Sequence, residues 1–494
     1  MPSERGERLH PISLLFGIGA TAWALFLVLL FSPASSKVLI ALLFLPAVTS
    51  SLLKYVSFRY WLGPEEMVIR EGILRRNERH IPYARIQNID LIQNPLHRLF
   101  KVAVVRLETA SGGKPEAVIS VLTLPTIEDM RARVFRERRG EESAEDADRP
   151  AGEPKRPLLE LPLSELVLLG VISNKGLVVV AAAFGLASQS GFFQNPEWLT
   201  TLIENQITAP HVTAPQSIGI LALLLTLGLL AVVIALRLFS VLWAILKFYG
   251  FRLEHHGDDL RTEYGLLTRV TATLPRHRVQ LVTVNLTPLH RWLDRASIQV
   301  DTAGGGGGDQ NQQGGVQERQ WLAPVIERPR ALPLLRQVMP AWRLETLDWQ
   351  SISYRAWRRL LKRWLVVLAV VVAAASFQLG IWALAAAIPG LALAVVHAQL
   401  YVQRTGYALT PAAVLYRSGC WVRRVSIVPF AKIQVLALRQ TPFDRRQRMA
   451  TVSVDTAGAN LGGHRVAVAY LDLEDARQLF AKLDEKASRT AFRW

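Results

Sequence analysis

The chain has 494 residues, 50% of them hydrophobic, and its 57 Lys and Arg exceed its 40 Asp and Glu to give a formal net charge of +17. This length allows several domains. The basic balance is typical of a nucleic-acid binder, of a protein on an anionic membrane surface, or of an inserted membrane protein with flanking cations. The one cysteine, Cys420, excludes a disulfide framework within the chain, and we predict that it is a small buried hydrophobe.

Three segments of the chain are apolar and nearly free of Lys and Arg: residues 9–53, where Lys37 is the exception, 176–236 and 364–403. Each is long enough for two helices of about 20 residues, the length that spans a bilayer. We therefore predict six transmembrane helices arranged as three hairpins. A signal peptide is the alternative for the start of the first segment, but a further apolar segment follows it with no credible cleavage site.

The charges around these segments predict their orientation. The hairpin tips are poor in Lys and Arg, whereas Lys54, Arg237 and the run RAWRRLLKRW from Arg355 lie at the outer ends. Basic residues prefer the cytoplasmic side of a membrane. We therefore expect a multi-pass protein of the cytoplasmic (inner) membrane with both termini, and all three segments that follow the hairpins, in the cytoplasm.

The cytoplasmic segments repeat one pattern three times: RIQNIDLIQNPLHRLFKVAVVRLETASGG from Arg85, RVQLVTVNLTPLHRWLDRASIQVDTAGGG from Arg278 and KIQVLALRQTPFDRRQRMATVSVDTAGAN from Lys432. The three passages align without gaps, which indicates one structural unit present in three copies. The aligned positions include Gly72, Gly265 and Gly419; Gln87, Gln280 and Gln434; and Pro95, Pro288 and Pro442.

Three features predict the local structure of each unit. VVRLETA, SIQVDTA and VSVDTA alternate apolar and polar residues, the pattern of a half-buried strand. Before them, an apolar spacing of three and then two, with the glutamine in the step, predicts a β-bulge whose backbone groups the glutamine amide would satisfy. Asn94, Thr287 and Thr441, each followed by proline, predict the N-cap of a short helix.

The combination P-x-x-[RK]-[IV]-Q, then [NT]-P, then a strand ending [ED]-T-A-[SG]-G resembles the bacterial pleckstrin-homology-like (PH-like) domain of the YdbS/YdbT membrane proteins. The threefold arrangement is similar to the longer, YdbT-like members of that family. The resemblance implies a seven-stranded antiparallel barrel capped by a C-terminal helix in each unit, and it implies no established activity for particular residues. We therefore expect an α+β membrane protein with three tandem antiparallel β-barrel (PH-like) domains, each preceded by a two-helix transmembrane hairpin.

The composition shifts between hairpins, repeats and one charged stretch predict the division of the chain. The stretch RGEESAEDADRPAGEPKRP has almost nothing to bury and is typical of a linker. The predicted parts are hairpin 1 over 9–53, PH-like domain 1 over 55–139, the linker over 140–157, an amphipathic lead-in with hairpin 2 over 158–245, domain 2 over 246–342 with a Gly-rich loop at 304–315, hairpin 3 over 355–403 and domain 3 over 404–490.

Two aligned basic positions supply the candidate interaction residues. Such side chains are often solvated or paired with nearby acidic residues. As a basic rim on each unit they would instead meet anionic lipid head groups or a neighbouring domain. The candidates are Arg85, Arg278 and Lys432 at the first position and Arg98, Arg291 and Arg445 at the second.

Two further motifs point to chemistry only weakly. HHGDD from His255 has metal-ligand residue types, but the aligned LGPEE and LTPAA favour a turn between strands. The glycine run from Gly304 lacks the Lys-Ser/Thr of a phosphate loop and is typical of an expanded flexible loop. We predict no catalytic residue, no cofactor and no metal site.

These patterns favour a non-enzymatic membrane protein whose PH-like domains form a membrane-tethered scaffold or binding platform, with a role in envelope maintenance or stress resistance expected from the family. The expected partners are a bilayer with anionic head groups and either a second copy or another membrane protein. The alternatives are a transporter or export component, which the absence of acidic residues from the predicted spans disfavours, and an enzyme using HHGDD or the 194–216 loop. Nucleic-acid binding is not expected, because the cations cluster at the membrane ends.

Overall fold

The computed structural model describes much of the three repeated units and of the helices between them. The Gly-rich loop, nearly all of the linker, most of hairpin 1 and the first half of hairpin 2 lie outside the described residues. Those residues are 7–13, 49, 52–53, 55–72, 76–109, 117–130, 133, 157–176, 185, 188, 214–256, 259–302, 320–345, 347–380, 382–456 and 466–489.

Unit one is a set of antiparallel strands with a short helix between its fourth and fifth strands. Its elements are β1 Arg59–Leu62, β2 Glu66–Glu71, β3 Asn77–Pro82, β4 Ile86–Gln93, α1 Pro95–Leu99, β5 Val102–Thr109 and β6 Ala117–Thr123, and helical residues 124–130 follow.

Unit two repeats this order after a strand and two helices. Its elements are β7 Leu159–Glu160, α2 Leu163–Ile172, α3 Ala214–Phe248, β8 Arg252–His256, β9 Asp259–Tyr264, β10 Arg269–Leu274, β11 Val279–Leu286, α4 Pro288–Trp292, β12 Arg295–Thr302, β13 Gln320–Glu327 and α5 Arg328–Val338.

Unit three has the same order again. Its elements are β14 Gln350–Ser351, α6 Ala356–Leu379, α7 Trp382–Arg404, β15 Gly406–Leu409, β16 Ala413–Ser418, β17 Arg423–Pro429, β18 Ile433–Arg439, α8 Pro442–Arg446, β19 Met449–Thr456, β20 Val466–Asp472 and α9 Leu473–Arg489.

Successive units share their β-sheets. The sheet orders are β1-β2-β3, then β6-β5-β4-β10-β9-β8-β7, then β13-β12-β11-β17-β16-β15-β14, and finally β18-β19-β20. The second half of each unit therefore continues into the first half of the next through the pairs β4–β10 and β11–β17. The prediction of antiparallel strands is confirmed. The expectation of three separate closed barrels is wrong, because strands that would have to pair within one unit to close its barrel pair with a strand of the neighbouring unit instead.

In units two and three one strand comes from the chain that precedes the hairpin, which the sequence did not indicate. Leu159 of β7 pairs with Leu253 of β8, and Gln350 of β14 pairs with Tyr407 of β15. With these additions the described part of units two and three has seven strands each, the number that the resemblance implies. In unit one, Glu7 forms the corresponding single bridge with Tyr60.

Each unit has two half-sheets, which in unit two are β7–β10 and β11–β13, and its hydrophobic core lies between them. In unit two, Leu253 and Leu260 of the first half-sheet and Val282 and Ile298 of the second are buried together in one cluster. Leu415 of unit three belongs to the same cluster. Because burial of apolar surface is the main favourable term in folding, the shared core joins units two and three energetically as well as through the sheet.

Two described helical stretches are long and apolar enough to cross a membrane, Ala222–Phe248 within α3 and Ala356–Phe377 within α6. The helices α6 and α7 follow one another around Gly380 and pack side by side, which makes hairpin 3 a helical pair. The expected six spans in three hairpins are thus not seen as such: two described helices qualify, and most of the other predicted spans lie outside the described residues.

The predicted local features are confirmed. The register of the pairing shifts across Gln87, Gln280 and Gln434, so the glutamine is the bulge residue in every unit. The short helices α1, α4 and α8 begin at the predicted prolines. Cys420 is a buried free cysteine, as its apolar position predicts.

Candidate functional site at the joints between units

The repeated arginine of the short helix connects one unit to the next. Arg98 of α1 donates a hydrogen bond from Nη1 to the carbonyl oxygen of Leu266 at 3.2 Å. Arg291 of α4 donates from Nη2 to the carbonyl oxygen of Trp421 at 3.1 Å. Leu266 lies in the glycine turn between β9 and β10, and Trp421 lies in the glycine turn between β16 and β17. We call each assembly of short helix, paired strands and glycine turn a joint.

Both joints use the same strand register. Leu91 pairs with Thr271 in joint one, and the aligned Val284 pairs with Val425 in joint two. A one-residue slip would turn every side chain of a strand to the opposite face. The identical register therefore shows that the joint is a repeated structural feature and not an accidental contact.

The glycine turn of each joint depends on a backbone conformation that other residues rarely adopt. Gly265 has φ of +114° and Gly419 has φ of +97°, and a Cβ on either would lie 1.9 Å from a backbone oxygen, that of Thr268 or Val422. Gly72, at the aligned position of unit one, has φ of +93°. Only glycine adopts such angles without steric cost, which explains why glycine stands at this position in all three units.

A reciprocal hydrogen-bonded cap holds each short helix. Thr287 Oγ1 accepts a hydrogen bond from the backbone N–H of His290, while His290 Nδ1 accepts the backbone N–H of Thr287. Thr441 and Asp444 do the same in α8, with the carboxylate as the acceptor. Asp444 therefore replaces the histidine of the other units in an unchanged role.

Burial keeps the capping histidines neutral. His290 is 6% exposed, and desolvation lowers its pKa to about 4. Desolvation also lowers the pKa of His97, which is 2% exposed. A neutral ring can accept a hydrogen bond at Nδ1, so the low pKa and the cap depend on each other.

The joints lie against the ends of the membrane helices. In unit two the backbone N–H of Leu266 donates to the carbonyl of Leu246 in α3. In unit three the guanidinium of Arg404, the last residue of α7, donates to the carbonyl of Cys420. The glycine turns are therefore at the membrane-proximal end of their units.

Residues near the start of α2 and of α6 also contact the region around a short helix. Glu165 of α2 holds Arg295, which follows α4, in a two-bonded ion pair of 2.9 and 2.7 Å. Arg359 of α6 lies 3.4 Å from Asp444 and stacks over the ring of Phe443, with its guanidinium carbon 4.6 Å from the ring centroid. One cation of the RAWRRLLKRW run is thus engaged by unit three and does not face the head groups freely.

The six candidate interaction residues do not form one basic rim. Arg278 and Lys432 are buried in the 3-10 turns that lead into β11 and β18, and burial lowers the pKa of Lys432. Arg85, in the corresponding turn of unit one, is exposed. The short-helix arginines lie at the other end of the same strand, eight residues or about 25 Å away, so the two sets of candidates are at opposite ends of their units.

The bulge glutamines are not equivalent in their surroundings. Gln280 is 1% exposed, and its Oε1 finds no hydrogen-bond partner among the described residues, so this oxygen accepts no backbone N–H of the bulge. Gln434 is exposed. The difference follows from the sheet, because β11 is covered by β17 whereas β18 has no neighbour on that side in the described part of the chain.

The described residues of HHGDD lie in two paired strands, which agrees with the predicted turn; Gly257 and Asp258 lie outside the described residues. His256 pairs with Asp259 across the β8–β9 hairpin, and His255 Nδ1 lies 2.7 Å from the guanidinium of Arg276, which is its donor. In the described portion no group of three or more His, Cys, Asp and Glu side chains is placed to hold a metal ion.

The sequence reading missed two features of the joints. Leu281, beside the bulge glutamine, is 3% exposed and packs in the core of unit three. The Glu165–Arg295 pair joins residues 130 positions apart in the chain. An apolar residue on the polar side of an alternating strand was the available signal for the first. The second had none, because Glu165 lies outside the repeat and the positions aligned with Arg295 are Val102 and Met449.

The fold and its joints define a transmembrane protein with tandem PH-like units. A model of the bacterial PH domain family matches residues 13–138, 217–342 and 365–487. These matches cover most of the chain, which therefore belongs to the bacterial PH domain family.

Among known proteins, the chain is similar to the UPF0699 transmembrane protein YdbT of Bacillus subtilis (strain 168). The two are 22% identical over 430 residues, which cover 85% of this chain and 84% of that protein. The predicted resemblance is thereby confirmed: this is a YdbT-like membrane protein with three bacterial PH domains. No solved structure matches it.

Proposed function

We propose that the protein is a non-enzymatic, membrane-tethered scaffold in which three PH-like units form one continuous assembly on the cytoplasmic side of the inner membrane. The observation that carries the proposal is the strand pairing across the membrane segments. Residues on both sides of each segment lie in one sheet or bridge: Glu7 with Tyr60, Leu159 with Leu253, and Gln350 with Tyr407.

This pairing constrains the topology. Backbone groups on opposite sides of a bilayer cannot pair, because the hydrocarbon core separates them by about 30 Å. Each membrane segment therefore begins and ends on the same side, which supports hairpins with an even number of crossings. Because neighbouring units share a sheet, all three units lie on the same side of the membrane. The positive-inside rule favours the cytoplasm as that side.

The membrane-proximal ends of the units have the composition of a lipid interface. Exposed apolar side chains lie on the short helices and glycine turns, with exposed fractions of 72% for Leu99, 80% for Trp292, 62% for Trp421 and 58% for Phe443. Aromatic and basic residues together are typical of the head-group region of a bilayer. We infer that the units rest on the inner leaflet, with Arg98 and its counterparts near anionic head groups.

Topology labelling tests the proposal. In a Cys420→Ala background, single cysteines replace the exposed Glu78, Arg330 and Glu474, one in each unit. A membrane-impermeant maleimide is expected to label all three only after the cells are permeabilised. Labelling of any one of them in intact cells would contradict the proposal. Saturable substrate flux in liposomes that contain the purified protein would favour the transporter alternative instead.

A further inference from the structure

The third copy of the joint has only one of its two halves among the described residues. β4 pairs with β10 and β11 pairs with β17, whereas β18, at the same place in unit three, pairs only with β19 among the described residues. The unpaired side of an edge strand presents N–H and C=O groups to which another strand can bind. The same structural device is thus used twice within the chain and left open once.

Aligned side chains of β11 and β18 differ in exposure, as expected if β18 lacks the neighbouring strand that β11 has. Leu281 is 3% exposed in joint two because it packs into the core of unit three. Val435, at the aligned position of β18, is 56% exposed, and Leu438 further along the strand is 38% exposed. The following unit therefore buries this position in joint two, whereas water covers it in unit three.

The arginine of the third joint is likewise without its acceptor. Arg98 and Arg291 each donate to a carbonyl oxygen in the glycine turn of the following unit. Arg445 is exposed and meets no such carbonyl in the described part of unit three. Strand β18 and Arg445 together therefore present one complete half of a joint.

The edge strand of unit one that aligns with β10 and β17 does not match this half. β3, at the position of β10 and β17, exposes Glu78, Arg79 and His80, and Glu78 forms an ion pair of 2.7 Å with Arg70. Charged residues on an edge strand oppose pairing with a further strand. Head-to-tail association of two copies through β3 and β18 is therefore disfavoured, although the topology would allow it.

We propose that β18 accepts an antiparallel edge strand from the first sheet of a PH-like module on a separate polypeptide, and that Arg445 donates to a carbonyl in that module's glycine turn. The inference rests on the proposed scaffold function and names the chemistry of its partner. That strand has small and β-branched residues, as in Val270–Thr271 of β10 and Val425–Ser426 of β17, and a glycine turn precedes it. Its register places the counterpart of Thr271 opposite Leu438.

A peptide from the chain itself serves as the probe. GLLTRVTATLPRH, residues 265–277, contains the glycine turn and β10, whereas GILRRNERHIPYA, residues 72–84, contains the charged β3. Fluorescence anisotropy with the full-length protein in detergent is expected to show saturable binding of the β10 peptide, with one site per chain. The β3 peptide should bind about ten-fold more weakly, since several unfavourable cross-strand pairs accumulate.

Substitutions on β18 locate the site. Val435→Glu and Leu438→Glu are expected to abolish binding, and both side chains are exposed, so an unchanged Tm shows that each variant is folded. Arg445→Ala should weaken binding about five-fold, the effect of one lost solvent-exposed hydrogen bond. Arg446→Ala, at the exposed neighbouring arginine, is the matched control and should leave the affinity unchanged.

Three results would overturn the inference: absence of β10-peptide binding, equal affinity for the two peptides, or binding that Val435→Glu does not change. A detergent-solubilised dimer that Val435→Glu converts to a monomer would also overturn it, because the occupant would then be a second copy. If peptide binding fails but all three units are labelled from the cytoplasm, the partner inference is wrong and the scaffold topology is retained. Labelling of a unit from outside the cell would contradict the scaffold proposal itself.

Discussion

Arg98 donates a hydrogen bond to the carbonyl oxygen of Leu266 across 168 positions of the chain, and Arg291 makes the same bond to Trp421 in the next joint. These bonds explain why an arginine recurs at this position of the repeat. They connect two units at the end nearest the membrane helices, beside the strand pair that the same units share.

The joint bond predicts different effects for aligned arginines. Arg291→Ala removes a charge-assisted hydrogen bond and should lower the free energy of unfolding by about 1 kcal/mol. Arg445→Ala, which removes no such bond within the described chain, should change it by less than about 0.5 kcal/mol. Thermal unfolding followed by circular dichroism in detergent measures both. Equal losses would show that the bond to Trp421 does not stabilise the joint.

The capping histidine predicts a pH dependence. Because the pKa of His290 is about 4 in the folded protein and about 6.5 in an unfolded chain, the unfolded state binds more protons between these values. Stability is thus fully present above pH 6.5 and falls as the pH approaches 4. His290→Asp keeps the capping acceptor, as Asp444 shows, and should reduce the loss of Tm between pH 7.5 and pH 5. A loss as large as in the unmodified protein would contradict this assignment.

The reverse substitution in unit three, Asp444→His, should lower the stability of the protein more than His290→Asp does. Asp444→His keeps a capping acceptor but leaves Arg359 without its carboxylate 3.4 Å away. Asp444 is 7% exposed, so the unpaired cation should cost about 2 kcal/mol. The double variant Arg359→Leu/Asp444→His removes that cation and should recover part of the Tm. No recovery would mean that the carboxylate serves the cap alone.

The glycine turn predicts a contrast between two positive-φ glycines. Gly265→Ala would place a Cβ 1.9 Å from the Thr268 oxygen, whereas a Cβ at Gly250, with φ of +64°, meets nothing within 4 Å. We expect a loss of about 3 kcal/mol or more at Gly265, from combined clash and strain, and about 1 kcal/mol at Gly250. Tm and yield of folded protein in detergent measure the difference, and similar values for the two variants would argue against the clash.

The proposed lipid contact predicts a depth difference between the short-helix end of one unit, at Trp292 of unit two, and the opposite end of another, at Arg85 of unit one. A nitroxide on Trp292→Cys, in a Cys420→Ala background, should be broadened by a lipid-soluble relaxation agent in liposomes. The same label on Arg85→Cys, at the opposite end of its unit, should respond to a water-soluble agent instead. Including anionic lipid should strengthen the contrast, because basic side chains near the leaflet are attracted to it. Water-like accessibility at both sites would refute the contact.

Several features of the candidate site were predictable from the repeat. The N-cap threonines, the prolines after them and the bulge glutamines act through residues within a few positions of one another, so their spacing carries the information. The partners of Arg98 and Arg291 were not predictable, because a backbone carbonyl leaves no residue-specific mark in the sequence. Lys432 was misjudged for a related reason: a lysine beside a strand is usually solvated, and only packing shows that this one is buried.

The sequence by itself determined the threefold unit, the apolar membrane segments and the local form of each strand, bulge and short helix, since these follow from hydropathy, periodicity and the chemistry of adjacent residues. The tertiary structure alone decided which units pair through these strands: β4 with β10, β11 with β17, and β18 with no described strand other than β19 of its own unit. An alternating strand buries the same face whether its neighbour belongs to its own unit or to the next. Register and packing, as at Leu281 and Val435, decide between the two.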